Sequence, residues 1–564
     1  MMAGADVDAA LDAAMQCRRQ GRLQEAEALY QAVLAARPRD CDVLQALADL
    51  ALQSRRMEAA VEHLKAALAI RPDVIMNRFN LGTALRYFGR LEEALEEYDA
   101  AIALNSADPV LRAILWTNRG AVLRALGRLD DAVESANRAF PDHPEACNDL
   151  GYALQKAGRA EDAVKSYDRA IALKADYVEA WTSRGNVLCA LGRWDDAVES
   201  HKHAIGLRPD YAEAWSNLGH TLCEAGRPDD AIKSYNRAIA LKPEFSDVRY
   251  NRGVTLLLLG EFESGWRDYE HRKLQRTPSG NRSYPNPLWS KAEDQQGETV
   301  LVHAEQGLGD TLQFCRYLPM LEGLGVKVLF APQPPLRALM RSLSPTIEIV
   351  DADDPALRFD RHAPLMSLPL ILGTALDTIP AEVPYIAADP DRIARWRDRI
   401  GENGFRIGVC WRGTSQIPAR AFPPSCLAGL AALPGVRLIS LQKGEGEGEL
   451  VACPQLKIER LDGLDDGSGA FMDTAAVMQG LDLIITCDTA VAHLAGALAR
   501  STWVALKHVP DWRWLLGRTD SPWYPTLRLF RQKNRGDWAS VFAEMEGALR
   551  RQLRAEPEGL SPIP

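Results

Sequence analysis

The chain has 564 residues, 47% hydrophobic and 25% charged, a soluble globular composition on a chain too long for one core. A net charge of −10 argues against nucleic acid or an anionic membrane as the main partner. Ten scattered cysteines without Cys-x-x-Cys or zinc spacing, a start lacking a basic and apolar signal, and no apolar run near 20 residues predict a cytoplasmic protein with reduced thiols and no membrane span.

The first half repeats. A Gly-Arg or equivalent turn recurs with its second residue at Arg22, Arg56, Arg90, Arg128, Arg159, Arg193, Arg227 and Glu261, mostly in steps of 34. Four residues later comes Ala26, Ala60, Ala94, Ala132, Ala163, Ala197, Ala231 or Gly265, and four further on an aromatic is frequent (Tyr30, Tyr98, Tyr167, Tyr235, Tyr269). Twelve before the small residue lies Gly82, Gly120, Gly151, Gly185, Gly219 or Gly253. These positions resemble the tetratricopeptide repeat. The resemblance implies about eight pairs of antiparallel helices over 1–272, stacked into a superhelix with a concave groove. Gly and Ala would let the helices approach, and the aromatic would wedge against the next unit. Asn80, Asn118, Asn217 and Asn251 share one repeat position, with Asp149 and Ser183 there in others. A ladder of amides offers donor and acceptor to the backbone of an extended peptide. The repeat domain of O-linked N-acetylglucosamine transferase is similar here. The alternative is local hydrogen bonding between helices.

A Pro/Gly/Ser/Asn-rich stretch then marks a linker over 273–297. Beyond it, short Val/Ile/Leu runs alternate with helical segments, which predicts two Rossmann-like α/β lobes at 298–390 and 391–555. Strands are predicted at 299–304, 327–331, 346–350 and 363–368 in the first lobe. The second has 406–411, 437–442, 456–460, 481–487, 502–506 and 527–531, with a final helix at 537–553 that crosses back to the first lobe. At 299–310 a strand runs into Gly307-Leu308-Gly309 and places Asp310 at a helix start, and 481–498 repeats that design with Asp488, Thr489 and His493. Leu312 replaces the third glycine of a dinucleotide fingerprint, so NAD is disfavoured, and no P-loop is present. Asp351-Ala-Asp353 has the Asp-x-Asp form of a metal site but reads better as an acidic loop, and no metal is expected.

Glu305–Tyr317, Gly408–Gly413, Ser440–Lys443, Cys487–Leu498 and Asp511–Pro525 together resemble bacterial repeat-fused glycosyltransferases. Their catalytic half is related to the ADP-heptose:lipopolysaccharide heptosyltransferases. The resemblance covers roughly 285–540 and implies a GT-B double Rossmann-like transferase that needs a nucleotide-sugar but no cofactor. It implies an inverting reaction in which Asp310 is the base, though Asp310 acting only as a helix cap is the plainer alternative. By the same resemblance the turn of Asp488, Thr489, Ala490 and His493 holds the donor's phosphates, beside Gly307 and Gly309. Arg412, Arg420 and Lys443 add cationic contacts. The family's polar loop after the Trp-x-Gly strand is replaced here by Thr-Ser-Gln-Ile-Pro-Ala-Arg-Ala (414–421), which puts donor specificity in doubt. Trp503, Trp512, Trp514 and Trp523 either stack on a ligand or pack the core. The expected function is transfer of a sugar to a protein held by the repeats, flagellin being one acceptor that the resemblance suggests. The alternatives are a saccharide or lipopolysaccharide acceptor, which would not need so long a groove, and a scaffold whose transferase half has decayed. Repeat arrays of this type also self-associate, so a homodimer is a further expectation.

Overall fold

The computed structural model describes residues 4–54, 56–139, 143–274, 284–290, 297–413, 418–467 and 469–555. The chain forms two compact units, Met1–Asn217 and Leu218–Pro564.

The repeat segments are helical hairpins, from Gly4–Arg19 paired with Leu23–Ala36 to Ser246–Leu259 paired with Phe262–Tyr269. The glycine in each described turn, such as Gly89 or Gly158, lies in the left-handed region (φ +72° and +75°), which ends the first helix without a Cβ clash. The next residue opens the second helix, and its arginine pairs with an acidic residue three positions on, as in Arg90–Glu93 and Arg193–Asp196. These exposed pairs contribute little. Packing decides the hairpin. The small residue is fully buried at Ala94, Ala163, Ala197 and Ala231.

One expectation is extended. The aromatic wedges against the glycine of its own hairpin as well as joining the core shared with the next unit, as Tyr167 does with Val187 and Leu188. A Cβ on Gly151 would sit 2.6 Å from the Tyr167 ring, and one on Gly219 would sit 2.7 Å from Tyr235. Gly185 meets His201 in the same way, at 2.5 Å. Gly151→Ala is therefore expected to destabilise the first unit by about 1–3 kcal/mol, because Tyr167 is fully buried with no room to retreat. Chemical denaturation with both unfolding transitions resolved checks this, and an unchanged transition would show that the ring can move.

The second unit carries two parallel sheets. The first holds β1 (Thr299–His303), β2 (Lys327–Ala331), β3 (Glu348–Ile349) and β4 (Arg361–Pro364) in the order β3-β2-β1-β4. The second holds β5 (Phe405–Cys410), β6 (Val436–Ser440), β7 (Leu483–Cys487), β8 (Thr502–Leu506) and β9 (Leu527–Arg531) in the order β6-β5-β7-β8-β9. β7 and β8 are buried at every position, as expected of strands covered on both faces.

Three sequence expectations fail here. The apolar run at 363–368 is mostly not a strand. Pro364 ends β4, and Leu365–Ser367 and Leu368–Ile371 form buried helical turns. The segment 456–460 is not a strand either: Lys457 is left-handed (φ +47°), and Glu459 alone bridges to Ile439. The last helix, Trp538–Ala555, does not cover the first sheet. Val541, Phe542, Met545 and Leu549 share one face and pack with Phe422, Leu427 and Leu430 in the core of the second sheet.

The last repeat hairpin belongs to this unit rather than to a separate domain ending at 272. Phe262, Trp266 and Tyr269 join the same core as Phe314, Trp512 and Trp523. Trp266 Nε1 donates to the Thr374 carbonyl at 3.1 Å, and Arg272 pairs with Glu305 at 2.9 Å.

Candidate functional site

In each sheet the strand order reverses beside a glycine-bearing turn. The first reversal lies between β1 and β4 and the second between β5 and β7, the switch points at which open parallel sheets bind ligands. A cleft of about 730 Å³ opens there, and all ten residues assigned from the sequence to base and donor contacts line it. The four strand ends feeding it are those of β1, β5, β6 and β7, at His303, Cys410, Ser440 and Cys487.

Asp310 caps a helix and also faces the cleft. Its Oδ2 accepts the Gly307 N–H at 2.8 Å and so closes the start of helix Leu308–Phe314. Its Oδ1 accepts from Arg513 Nη2. The side chain remains 18% exposed, so a ligand in the cleft can reach it. Burial pushes its proton affinity above the usual carboxylate range, with Arg513 opposing. That direction suits a base that must accept a proton near neutral pH.

Gly309 lines the cleft and is also a point of close approach between two helices. A Cβ there would sit 3.1 Å from His493 Cδ2 and 3.3 Å from Ala490 Cα. The glycine lets the helix Leu308–Phe314 meet the helix Ala490–Ala497 at the cleft floor. Thr489 caps the second of these, accepting the Val491 N–H at 3.2 Å. His493 is buried, stacks on Trp514 with ring centroids 5.4 Å apart, and shares a 3.0 Å hydrogen bond through Nδ1 with the Tyr524 hydroxyl. Burial and the neighbouring Arg513 hold it well below the usual imidazole range, so the ring is neutral and serves as a hydrogen-bonding wall.

Asp488 is 7% exposed and lies 3.1 Å from Arg420 Nε. A buried carboxylate repels phosphate, so Asp488 acts by holding Arg420. Arg420 also donates through Nη2 to Asp511 at 2.8 Å. Arg412 pairs with Glu449 and Lys443 with Asp466. Residues 414–417 of the divergent loop lie outside the described residues.

Sequence reading missed Arg513, Asp511 and Gln442. Gln442 Oε1 accepts the N–H groups of Trp411 and Arg412 at 3.1 and 3.0 Å, and its Nε2 donates to the Glu445 carbonyl at 2.7 Å. It clamps the turn after β5 to the turn after β6. Arg513 lies within a stretch quoted for the family resemblance, but nothing in its spacing marks its reach to Asp310. Arg513→Ala leaves Asp310 and Asp511 as buried carboxylates sharing no cation between them. The expected loss is about 3–5 kcal/mol of stability in a denaturant titration, and Arg513→Lys should lose less. Equal losses would mean that the guanidinium's packing on Trp512, 4.2 Å from its ring centroid, matters more than its charge.

Trp503, Trp512, Trp514 and Trp523 are all at most 5% exposed and pack the core rather than face the cleft. The Asp351–Asp353 loop follows β3, with Asp351 paired to Arg337 at 2.7 Å. Among the described residues no group of three or more His, Cys, Asp or Glu is placed to hold a metal, and no helix is long and apolar enough to cross a membrane. Asn80, Asn118, Asn217 and Asn251 each lie on the first helix of a hairpin and are half-buried. Asn118 Nδ2 donates to the Ile114 carbonyl of its own helix at 2.9 Å, a local use of the amide.

Residues 18–78, 79–146, 144–177 and 176–244 match family models described as tetratricopeptide repeat. The chain therefore carries a tetratricopeptide-repeat region followed by a part built on two parallel sheets. Protein FlbA of Caulobacter vibrioides is 28% identical over 321 residues, which are 52% of this chain and 53% of that protein. The chain thus spans about half the length of the curated relative it matches. Among solved structures, YrrB, described as a TPR protein with an unusual peptide-binding site, is 23% identical, covering 34% of this chain and 97% of its own at a TM-score of 0.28. The C-terminal part of a TPR repeat-containing protein from Cytophaga hutchinsonii is 14% identical, covering 43% of this chain and 98% of its own at a TM-score of 0.36.

Proposed function

We propose that the sheet-bearing part is a GT-B glycosyltransferase that moves a sugar from a nucleotide-sugar to a protein presented by the repeats. One observation carries this reading: residues from four strand ends, far apart in the sequence, converge on one cleft at two switch points. The acceptor hydroxyl gives its proton to Asp310, whose oxygens each keep a lone pair beyond the Gly307 and Arg513 bonds. The acceptor oxygen bonds to the anomeric carbon while the bond from that carbon to the diphosphate breaks, which inverts the centre. The leaving charge passes to Arg420, Arg412 and Lys443 and to the helix start at Ala490. This route calls on no metal. Flagellin is one acceptor consistent with the family resemblance.

The test is calorimetric titration with UDP-, GDP-, ADP- and CMP-sugars, wild type beside Asp488→Ala. Selective binding of one donor, lost in the variant, supports the transferase. No binding favours a second reading, a protein-interaction scaffold. That reading has its own observation: Arg412, Arg420 and Lys443 each already face a carboxylate of the chain itself.

A further inference from the structure

Five charged side chains of alternating sign cross the cleft floor. In order they are Asp310, Arg513, Asp511, Arg420 and Asp488. Arg513 Nη2 donates to Asp310 and Nη1 to Asp511 at 2.8 Å. Arg420 Nη2 donates to the other oxygen of Asp511 at 2.8 Å, and its Nε lies 3.1 Å from Asp488. Asp511 is thus shared by two arginines, and each arginine is shared by two carboxylates. The guanidinium of Arg513 is fixed by a third bond, Nε to Gln313 Oε1 at 2.6 Å. It can redistribute its attraction between Asp310 and Asp511 without leaving its place. Arg420 is more open, with 26% of its side chain exposed to the cleft.

We propose that these five residues form a relay in which an anion taken up by Arg420 raises the basicity of Asp310, so that the donor arms the base. This rests on the transferase reading and deepens it. A diphosphate that engages Arg420 weakens that arginine's hold on Asp511. Asp511 then draws more strongly on Arg513, and Asp310 loses part of its only cationic hydrogen-bond partner among the described contacts. The other groups near Asp310 do not replace it. Tyr250 and Tyr269, from the last repeat hairpin, stay neutral because burial pushes both phenols upward. His493, on the facing helix, is neutral as well. The Gly307 N–H holds one oxygen in both states. Asp511 is kept ionised throughout, since its two arginines outweigh burial and hold it below the usual carboxylate range. Before the donor arrives, Asp310 is a weaker base pinned to Arg513. With the donor bound, it is freed for the acceptor hydroxyl.

The sign is fixed by linkage. A group whose proton affinity rises on binding takes up a proton, so nucleotide affinity climbs as pH falls through the bound-state titration and levels off below the free-state one. One linked proton allows up to about tenfold per pH unit in that window.

The experiment is calorimetry of the full chain with UDP, GDP and ADP from pH 5 to 8, in buffers of different ionisation enthalpy. Wild type should take up protons on binding. Asp310→Asn should bind the same nucleotide with measurably smaller uptake; Asp488 and the nucleotide's own phosphate supply the remainder, which is common to both proteins. Asp511→Asn is the independent variant: with the shared carboxylate gone, Arg513 stays on Asp310 whatever occupies Arg420, and uptake should fall similarly. Nucleotide binding without proton exchange, or equal uptake in wild type and either variant, overturns the relay while leaving the transferase reading intact. Failure of all three nucleotides to bind at every pH removes that reading and the relay together.

Discussion

Asp310→Asn is expected to abolish sugar transfer while leaving nucleotide-sugar binding in place. The carboxylate lies in the cleft, partly exposed, with burial pushing its proton affinity upward. Removing a general base from such a position costs roughly 10²–10⁴-fold in rate. Fold loss is a weak rival explanation for this substitution. Asparagine keeps the shape and can still accept the Gly307 N–H, and Arg513 retains Asp511 at 2.8 Å, so no charge is stranded. Arg513→Ala differs in this respect, since it strands Asp310 and leaves Asp511 to Arg420 alone. The readout is the intact mass of an acceptor co-expressed with wild type or variant, beside donor titration of both proteins. A mass shift that survives Asp310→Asn would return Asp310 to the role of a helix cap. Loss of donor binding together with transfer would show that the carboxylate organises the cleft rather than takes the proton.

The parts of this molecule legible in the sequence are those in which a local pattern has one physical solution. Gly82, Gly151 and Gly219 recur because a buried ring occupies the place of their Cβ, and the same constraint returns in hairpin after hairpin. β2 and β8 match their predicted bounds because each is a short, mostly apolar run, and β9 because its exposed Arg528 alternates with buried Leu527 and Leu529. The segment around 365–368 is just as apolar but helical, and periodicity over so short a buried run does not separate the two. The ten cleft residues are legible because each follows a strand or opens a helix at a sheet edge. Arg513 is not, because its partner Asp310 lies 203 positions away and no spacing encodes a pairing made only by tertiary folding. The packing role of Gly309 is hidden for a similar reason. A glycine after a strand suggests a phosphate turn, and no local pattern shows that it also admits the helix that carries Ala490 and His493.

Where the repeats stop serving as a separate array is a question of packing, and it predicts a sharp difference between two truncations. A chain lacking residues 1–211, which keeps the hairpin Ala212–Glu224 with Pro228–Leu241 whole, is expected to fold and bind nucleotide-sugar but not to modify a protein acceptor. A chain lacking 1–270 is expected not to fold. The second cut removes Leu257, Leu258, Phe262, Trp266 and Tyr269, all at most 3% exposed, from the core that holds the first sheet. At roughly 1.5–3 kcal/mol for each buried side chain, the loss is comparable to the whole stability of a typical domain, about 5–15 kcal/mol. It also uncovers Phe314, Trp512 and Trp523 and removes Glu270, an ion-pair partner of Arg272. Trp512 and Arg513 are adjacent, so the damage reaches the relay at the cleft floor. Circular dichroism and thermal melting of the two truncations, followed by donor titration of any that folds, decide the matter. A folded, donor-binding chain from 271 onward would mean that the last hairpin only leans on the sheets. Collapse of both truncations would mean that the sheets depend on more of the repeat array than the final two hairpins.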